Sequence, residues 1–197
     1  MHRLRGGTDS MQMISEDRNA RQPFFLDSTC LVRLHFEDAG YEGVRHLAAS
    51  DFVACAQHGR AEVISAFHRK FQERAISARL YEITLREFLN ETRGGACRCL
   101  PLSERVFERA ELVYARLPAT IFLRAVDALH LSTASHGFRD IHSNDTKLLS
   151  AAPHFGLRGL NVIDYSGPRM CISVRFLETF DSDVRVDLCG GKTRVPE

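Results

Sequence analysis

The chain has 197 residues, 44% of them hydrophobic and 26% charged, the balance of an ordinary globular domain and not of a disordered tail or a membrane span. Lys and Arg number 26 against 25 Asp and Glu, so no global basic charge marks a polyanion binder and any nucleic-acid site must be local. The first residues hold no apolar stretch of signal-peptide length, and no run approaches about 18 apolar residues, so a cytoplasmic protein without membrane contact is expected.

Residues 1–22 are polar, contain glycines and lack periodicity, and are read as an N-terminal extension. The fold is expected to begin at Pro23, where the chain turns apolar. Phe24, Phe25 and Leu26 read as a first strand ending on Asp27. Short helices follow at Leu31–Phe36 and Glu42–Ala49, then a strand at Phe52–Ala54. Ala61, Ile64, Phe67 and Phe71 fit one helix, and Ile76, Leu80, Ile83 and Phe88 a second that Gly94 and Gly95 end. Arg98–Leu100 is a strand. Ser103 can cap a helix through Leu117, which Pro118 stops. Arg124–Ser135 is a helix, Asp140–His142 a strand, Asn144–Ala152 a helix and Leu160–Ile163 a last strand. Residues 164–197 alternate weakly and are read as a C-terminal extension. Strands alternating with helices across 23–163 predict an α/β domain on a parallel sheet.

The six cysteines, at 30, 55, 97, 99, 171 and 189, lack the dense spacing of a secreted disulfide framework and are expected as reduced thiols. Cys97 and Cys99 fit one face of a strand. No His or second Cys pair lies nearby in sequence to complete a tetrahedral metal site, so they read as structural thiols.

Four acids stand out, each with two roles open. Asp27 follows an apolar strand, where parallel sheets place ligand crevices, but it also suits a helix cap. Glu62 lies close to an apolar helical face and needs a partner or a water-filled site, unless it is a surface acid paired with Arg69 or Lys70. Asp127 interrupts a helix that is apolar nearly all round, and either pairs with Arg124 or serves a site. Asp145 opens a helix after a strand; Ser143 and Asn144 compete with it as caps, which would leave its carboxylate facing the crevice. Only a fold can gather acids so far apart in sequence. Carboxylate oxygens select Mg²⁺ or Mn²⁺, ions suited to phosphodiester hydrolysis.

In FFLDSTCLVRLHFEDAG, GRAEVISAFHRK, RAVDALHLSTASHGF and SNDTKLLSAAPHFGLRGLNVI, the chain resembles the PIN-domain ribonucleases, most closely the VapC-like toxins of bacterial toxin-antitoxin pairs. The resemblance implies a three-layer α/β/α sandwich with a central parallel sheet. It implies a metal-dependent endoribonuclease whose Mg²⁺ or Mn²⁺ is held by Asp27, Glu62, Asp127 and Asp145, and a toxin that dimerises and is silenced by a cognate antitoxin. By the same resemblance Ser143 positions Asp145 or the attacking water, and Ser28 supports the loop after Asp27. RNA phosphates would be met by Arg60, Arg69, Lys70 and Arg74, which otherwise form a solvated helix face. His130 reads as a packed helix histidine and is left outside the metal set. Leu31, Leu34 and Phe36 suit either a dimer face or the monomer core.

Two other readings compete. A haloacid-dehalogenase-like phosphatase also places an Asp after an apolar strand, but its D-x-D-x-T pattern lacks the second Asp here. A catalytically inactive PIN-like RNA- or protein-binding module would not need all four acids.

Overall fold

In a computed structural model, residues 23–164 are described. The extensions expected at 1–22 and 164–197 lie outside the described residues, apart from Asp164.

Phe24–Phe25 forms β1, and Asp27 ends it by capping α1 (Ser28–His35), its Oδ1 accepting the Cys30 N–H at 2.9 Å. Gly40, at φ +86°, turns the chain into α2 (Tyr41–Ser50); a side chain there would also press on Ile163. β2 (Val53–Ala56) leads through Gln57 and His58 into α3 (Gly59–Gln72). Ser77 caps α4 (Ala78–Gly94), which Gly95 ends in the left-handed region. Then come β3 (Cys97–Leu100), α5 (Glu104–Tyr114), α6 (Ala125–Ser135), β4 (Asp140–Ser143), α7 (Thr146–Ala151), a 3₁₀ turn (Ala152–Phe155) and β5 (Arg158–Asn161).

All strand pairs are parallel. β2 lies between β1 and β3, β4 pairs with β5, and the Leu26–His142 bridge joins the two sheets, so the order across the molecule is β3-β2-β1-β4-β5. One face carries Phe25, Ala54, Ala56 and Ile141 against Leu131, Leu148 and Phe155; the other carries Leu26, Val53 and Cys55 against Leu31, Val44, Val63, Phe67 and Phe88. Two cores on two faces make the expected α/β/α sandwich. Leu31 is buried, and Leu34 and Phe36 pack on the second core, so these three complete the monomer core. No described helix is long and apolar enough to cross a membrane.

The element boundaries differ from the expected ones in instructive places. β2 starts one residue later than expected and runs on to Ala56, leaving Phe52 outside it and 72% exposed. The helix expected to reach Leu117 ends at Tyr114, and Ser103 precedes it without a side-chain capping bond. β5 lies two residues before the expected Leu160–Ile163. Its register is set by Arg158, whose guanidinium grips Asp140 with two 2.8 Å hydrogen bonds, and by Gly159, where a Cβ would meet Leu149 Cδ2 at 2.9 Å. Apolarity marked the region; the cross-strand pair marks the strand.

Candidate active site

β1 connects onward to one side of the sheet and its other neighbour, β4, to the opposite side. The crevice beyond their carboxyl ends is the topological switch point where open parallel sheets place ligands. Asp27 leaves the end of β1, and Ser143, Asn144 and Asp145 leave the end of β4.

Asp27 is 2% exposed and held by three donors. Cys30 N–H and the Thr29 hydroxyl reach Oδ1 at 2.9 and 2.8 Å, and the Ser143 hydroxyl reaches Oδ2 at 2.5 Å, with Thr29 also 3.0 Å from Oδ2. Ser143 Oγ in turn accepts the Asp145 N–H at 2.9 Å, so one buried hydroxyl ties the first acid to the last. Asp145 is itself the cap of α7: Oδ1 accepts Lys147 N–H at 2.8 Å and Leu148 N–H at 3.3 Å. The expectation that Ser143 or Asn144 would free Asp145 from capping is thereby corrected. The Ser143 hydroxyl is taken by Asp27, and capping uses only Oδ1 of Asp145, while Oδ2 faces Arg124.

Asp127 and His130 lie one turn apart on α6. No hydrogen bond reaches the buried Asp127 Oδ2; Arg124 Nε stands 3.7 Å away, and Arg124 Nη2 stands 3.7 Å from Asp145 Oδ2. The ion pair considered for Asp127 is therefore long, and one half-exposed arginine is shared between two acids. Burial raises the Asp127 pKa, and the charges of Asp145 and Glu62 add to this against Arg124.

Glu62, in the first turn of α3, meets His130 Nε2 at 2.6 Å and lies beside the Ser28 side chain. Burial pushes its pKa up, but His130, Ser28 and His58 outweigh it and hold the carboxyl below its ordinary value. His58 lies against His130, the rings tilted by 51° with centroids 4.2 Å apart, and burial with the nearby His130 lowers its pKa to about 4. His130, 1% exposed, is thus both a packed histidine and the partner of Glu62; its role was missed in the sequence because that partner lies on another helix.

The four acids share this end of the sheet through common partners, yet no three of them lie within 4.8 Å; the set that does is His58, Glu62 and His130. Two buried oxygens here, Asp127 Oδ2 and Asn144 Oδ1, lack a hydrogen-bond partner. Oxygen acceptors without donors suit a hard cation.

A cleft of about 740 Å³ runs from Glu62, Arg124 and Asn144 between α1 and α3 to Glu73. Arg69 and Lys70 line it, Lys70 being paired with Asp38 at 2.8 Å. Arg33, which sequence reasoning passed over, lines it too and is fixed by the Thr29 and Ala39 carbonyls at 2.7 and 2.6 Å. Arg60 and Arg74 do not line it. Two residues before Glu62, Arg60 is turned about 200° around α3, toward Cys99, and Arg74 follows the end of α3 at φ +59°.

A PIN domain matches residues 24–153. Among solved structures, the chain is similar to the crystal structure of Mycobacterium tuberculosis VapC20, described as a sarcin-ricin loop cleaving toxin. The TM-score is 0.52 with 19% identity, covering 68% of this chain and 98% of that one. No curated protein sequence matches the chain.

Proposed function

The chain belongs to the PIN-domain family, and on that premise we propose that it is a metal-dependent endoribonuclease acting in the cytoplasm as the toxin of a toxin-antitoxin pair. The observation that carries the reading is Asp127: an acid placed in an apolar helix, half-buried, with a buried oxygen that receives no hydrogen bond and only a long 3.7 Å ion pair from Arg124. A structural carboxylate in that position would be hydrogen-bonded on both oxygens.

Asp127 and Asp145 offer Oδ2 atoms free of hydrogen bonds shorter than 3.7 Å, and with Asp27 and Glu62 they would hold Mg²⁺ or Mn²⁺. When bound, a divalent ion would lower the pKa of water at the site and stabilise charge on the phosphoryl oxygens. Ser143 keeps the Asp27 and Asp145 loops in register. Glu62, ionised at neutral pH, completes the ligand set or accepts the proton of the attacking water. Arg69 and Lys70 would meet RNA phosphates along the cleft, with Arg33 as a fixed positive wall. Arg60 and Arg74 would contribute only at its margins. Homodimerisation and capture by a cognate antitoxin belong to the same proposal.

The test is incubation of the purified chain with total RNA in Mn²⁺ or Mg²⁺ and mapping of the new ends, with a ribosomal stem-loop as the first defined substrate. Cleavage that a chelator abolishes and added metal restores is expected. Cleavage indifferent to chelation, or RNA bound but never cut with either ion, would overturn the reading.

His130→Leu comes near the volume of the imidazole beside Gly59, where an added Cβ would stand 3.0 Å from His130 Cε1, but removes the Glu62 contact. The cleavage rate should fall about 10–100-fold, the usual cost of losing a partner that orients a ligand. The urea midpoint should change little, because the buried Nδ1 that lacks a hydrogen bond is lost as well. Wild-type cleavage by this variant would show that His130 does not position Glu62.

A further inference from the structure

A second cluster of metal-ligating side chains lies on β2 and β3, and the nuclease reading makes no use of it. Parallel pairing sets Cys55 opposite Cys99 and Val53 opposite Cys97. Residues two apart share a face, so all three cysteines project to the same side of the sheet. Cys97 Sγ is 3.6 Å from Cys55 Sγ, which is 3.7 Å from Cys99 Sγ, and the three sulfurs lie within 4.8 Å of one another. Thiolates sharing one ion at about 2.3 Å in tetrahedral geometry stand about 3.8 Å apart. Two of the three sulfur pairs therefore already stand at ligand spacing, and the third lies within 4.8 Å. Sequence reasoning missed this because the third thiol comes from the neighbouring strand.

The surroundings fit an anionic complex. Cys55 and Cys97 are buried, whereas Cys99, on the edge strand, is partly exposed. The Arg60 guanidinium acts electrostatically on Cys99 from the start of α3. Arg60 Nε is buried and has no hydrogen-bond partner, so its charge is available to this cluster. Free thiols packed as small hydrophobes need neither a sulfur in contact with two others nor a nearby guanidinium.

We propose that Cys55, Cys97 and Cys99 form a three-thiolate site for a soft d¹⁰ cation, Zn²⁺ or Cu⁺, that clamps β2 to β3 independently of the carboxylate site. Soft thiolates select these ions over Mg²⁺ and Mn²⁺. Each thiol gives its proton to solvent on binding, three per ion, with no change of oxidation state. No described His, Asp or Glu joins the sulfurs, so for Zn²⁺ the fourth position is left to water or an outside ligand on the Cys99 side. The clamp sits directly before the His58 and Glu62 end of α3.

The test uses the full chain with Cys171→Ser and Cys189→Ser, two thiols outside the described residues, reduced under anaerobic conditions. Zn²⁺ is supplied in one arm and Cu⁺ in the other; native mass spectrometry reads stoichiometry, a competing chromophoric chelator reads affinity, and Co²⁺ in place of Zn²⁺ reads sulfur-to-metal charge transfer. One ion per chain is expected in at least one arm, with a charge-transfer band and a raised Tm. Cys55→Ser and Cys99→Ser should each weaken binding roughly ten-fold or more, while Asp127→Asn leaves it unchanged. Should a serine variant fail to fold, alkylation of the unsubstituted Cys99 decides, since the bound ion must protect it. No retained ion in either arm, binding without the sulfur band, unchanged affinity in Cys99→Ser, or unprotected Cys99 would each overturn the site.

Discussion

Asp127→Asn is expected to cut RNA cleavage on the order of 10³-fold while leaving the chain as stable as before or more so. Several kcal/mol of charge stabilisation disappear with a metal ligand, and each 1.4 kcal/mol or so is a factor of ten in rate. The stability follows from the raised pKa. Burial lifts the Asp127 carboxyl in the folded chain above its unfolded value, so the fold binds more protons than the unfolded chain between the two. Stability is then full below the unfolded value and is lost as pH rises through the folded one. At neutral pH the ionised group is a net cost. Arg124 offsets little of it, standing 3.7 Å away with 59% of its side chain exposed and screened. Asn keeps the shape and removes the charge, so the urea midpoint should vary less between acidic and neutral pH than in the parent. A variant that still cleaves at the parent rate, or that unfolds more easily at neutral pH, would show that Asp127 is a structural acid.

Asp127 was legible in the sequence because an acid in an apolar helix violates the local pattern, and such violations concentrate at sites. Asp27 was legible through its place after an apolar strand, although sequence could not show that the carboxylate capping α1 also receives the Ser143 hydroxyl. What stayed hidden depends on contacts between distant segments. Glu62 and His130 are 68 residues apart, and Asp27 and Ser143 are 116 apart. No periodicity reports such pairs. Among the consecutive polar residues 143–145, the cap was decided by β4: its last residue, Ser143, turns inward to Asp27, which leaves Asp145 for the helix. Arg60 and Arg69 were grouped by composition, whereas helical phase separates them, one toward Cys99 and the other into the cleft.

Asp27→Ala should differ from Asp127→Asn by damaging the fold as well as the chemistry. Its carboxylate caps α1, which is worth about 1 kcal/mol. It also receives the buried Ser143 hydroxyl, a bond to a charged acceptor worth about 2 kcal/mol. The two contacts fasten α1 and β1 to the end of β4, across the bridge that joins the two sheets. A loss of about 3 kcal/mol is therefore expected in urea unfolding, with an unchanged denaturant slope and cleavage reduced on the order of 10³-fold. Asp27→Asn should lose the same activity at a smaller cost in stability, because its amide oxygen still accepts from Cys30 N–H and its NH₂ can donate to Ser143 Oγ. The Asp127 and Asp27 substitutions thus separate two kinds of acid at the proposed site, one that strains the fold and one that closes it. Equal stability of Asp27→Ala and the parent would mean that packing alone, without this carboxylate, holds the two sheets in register.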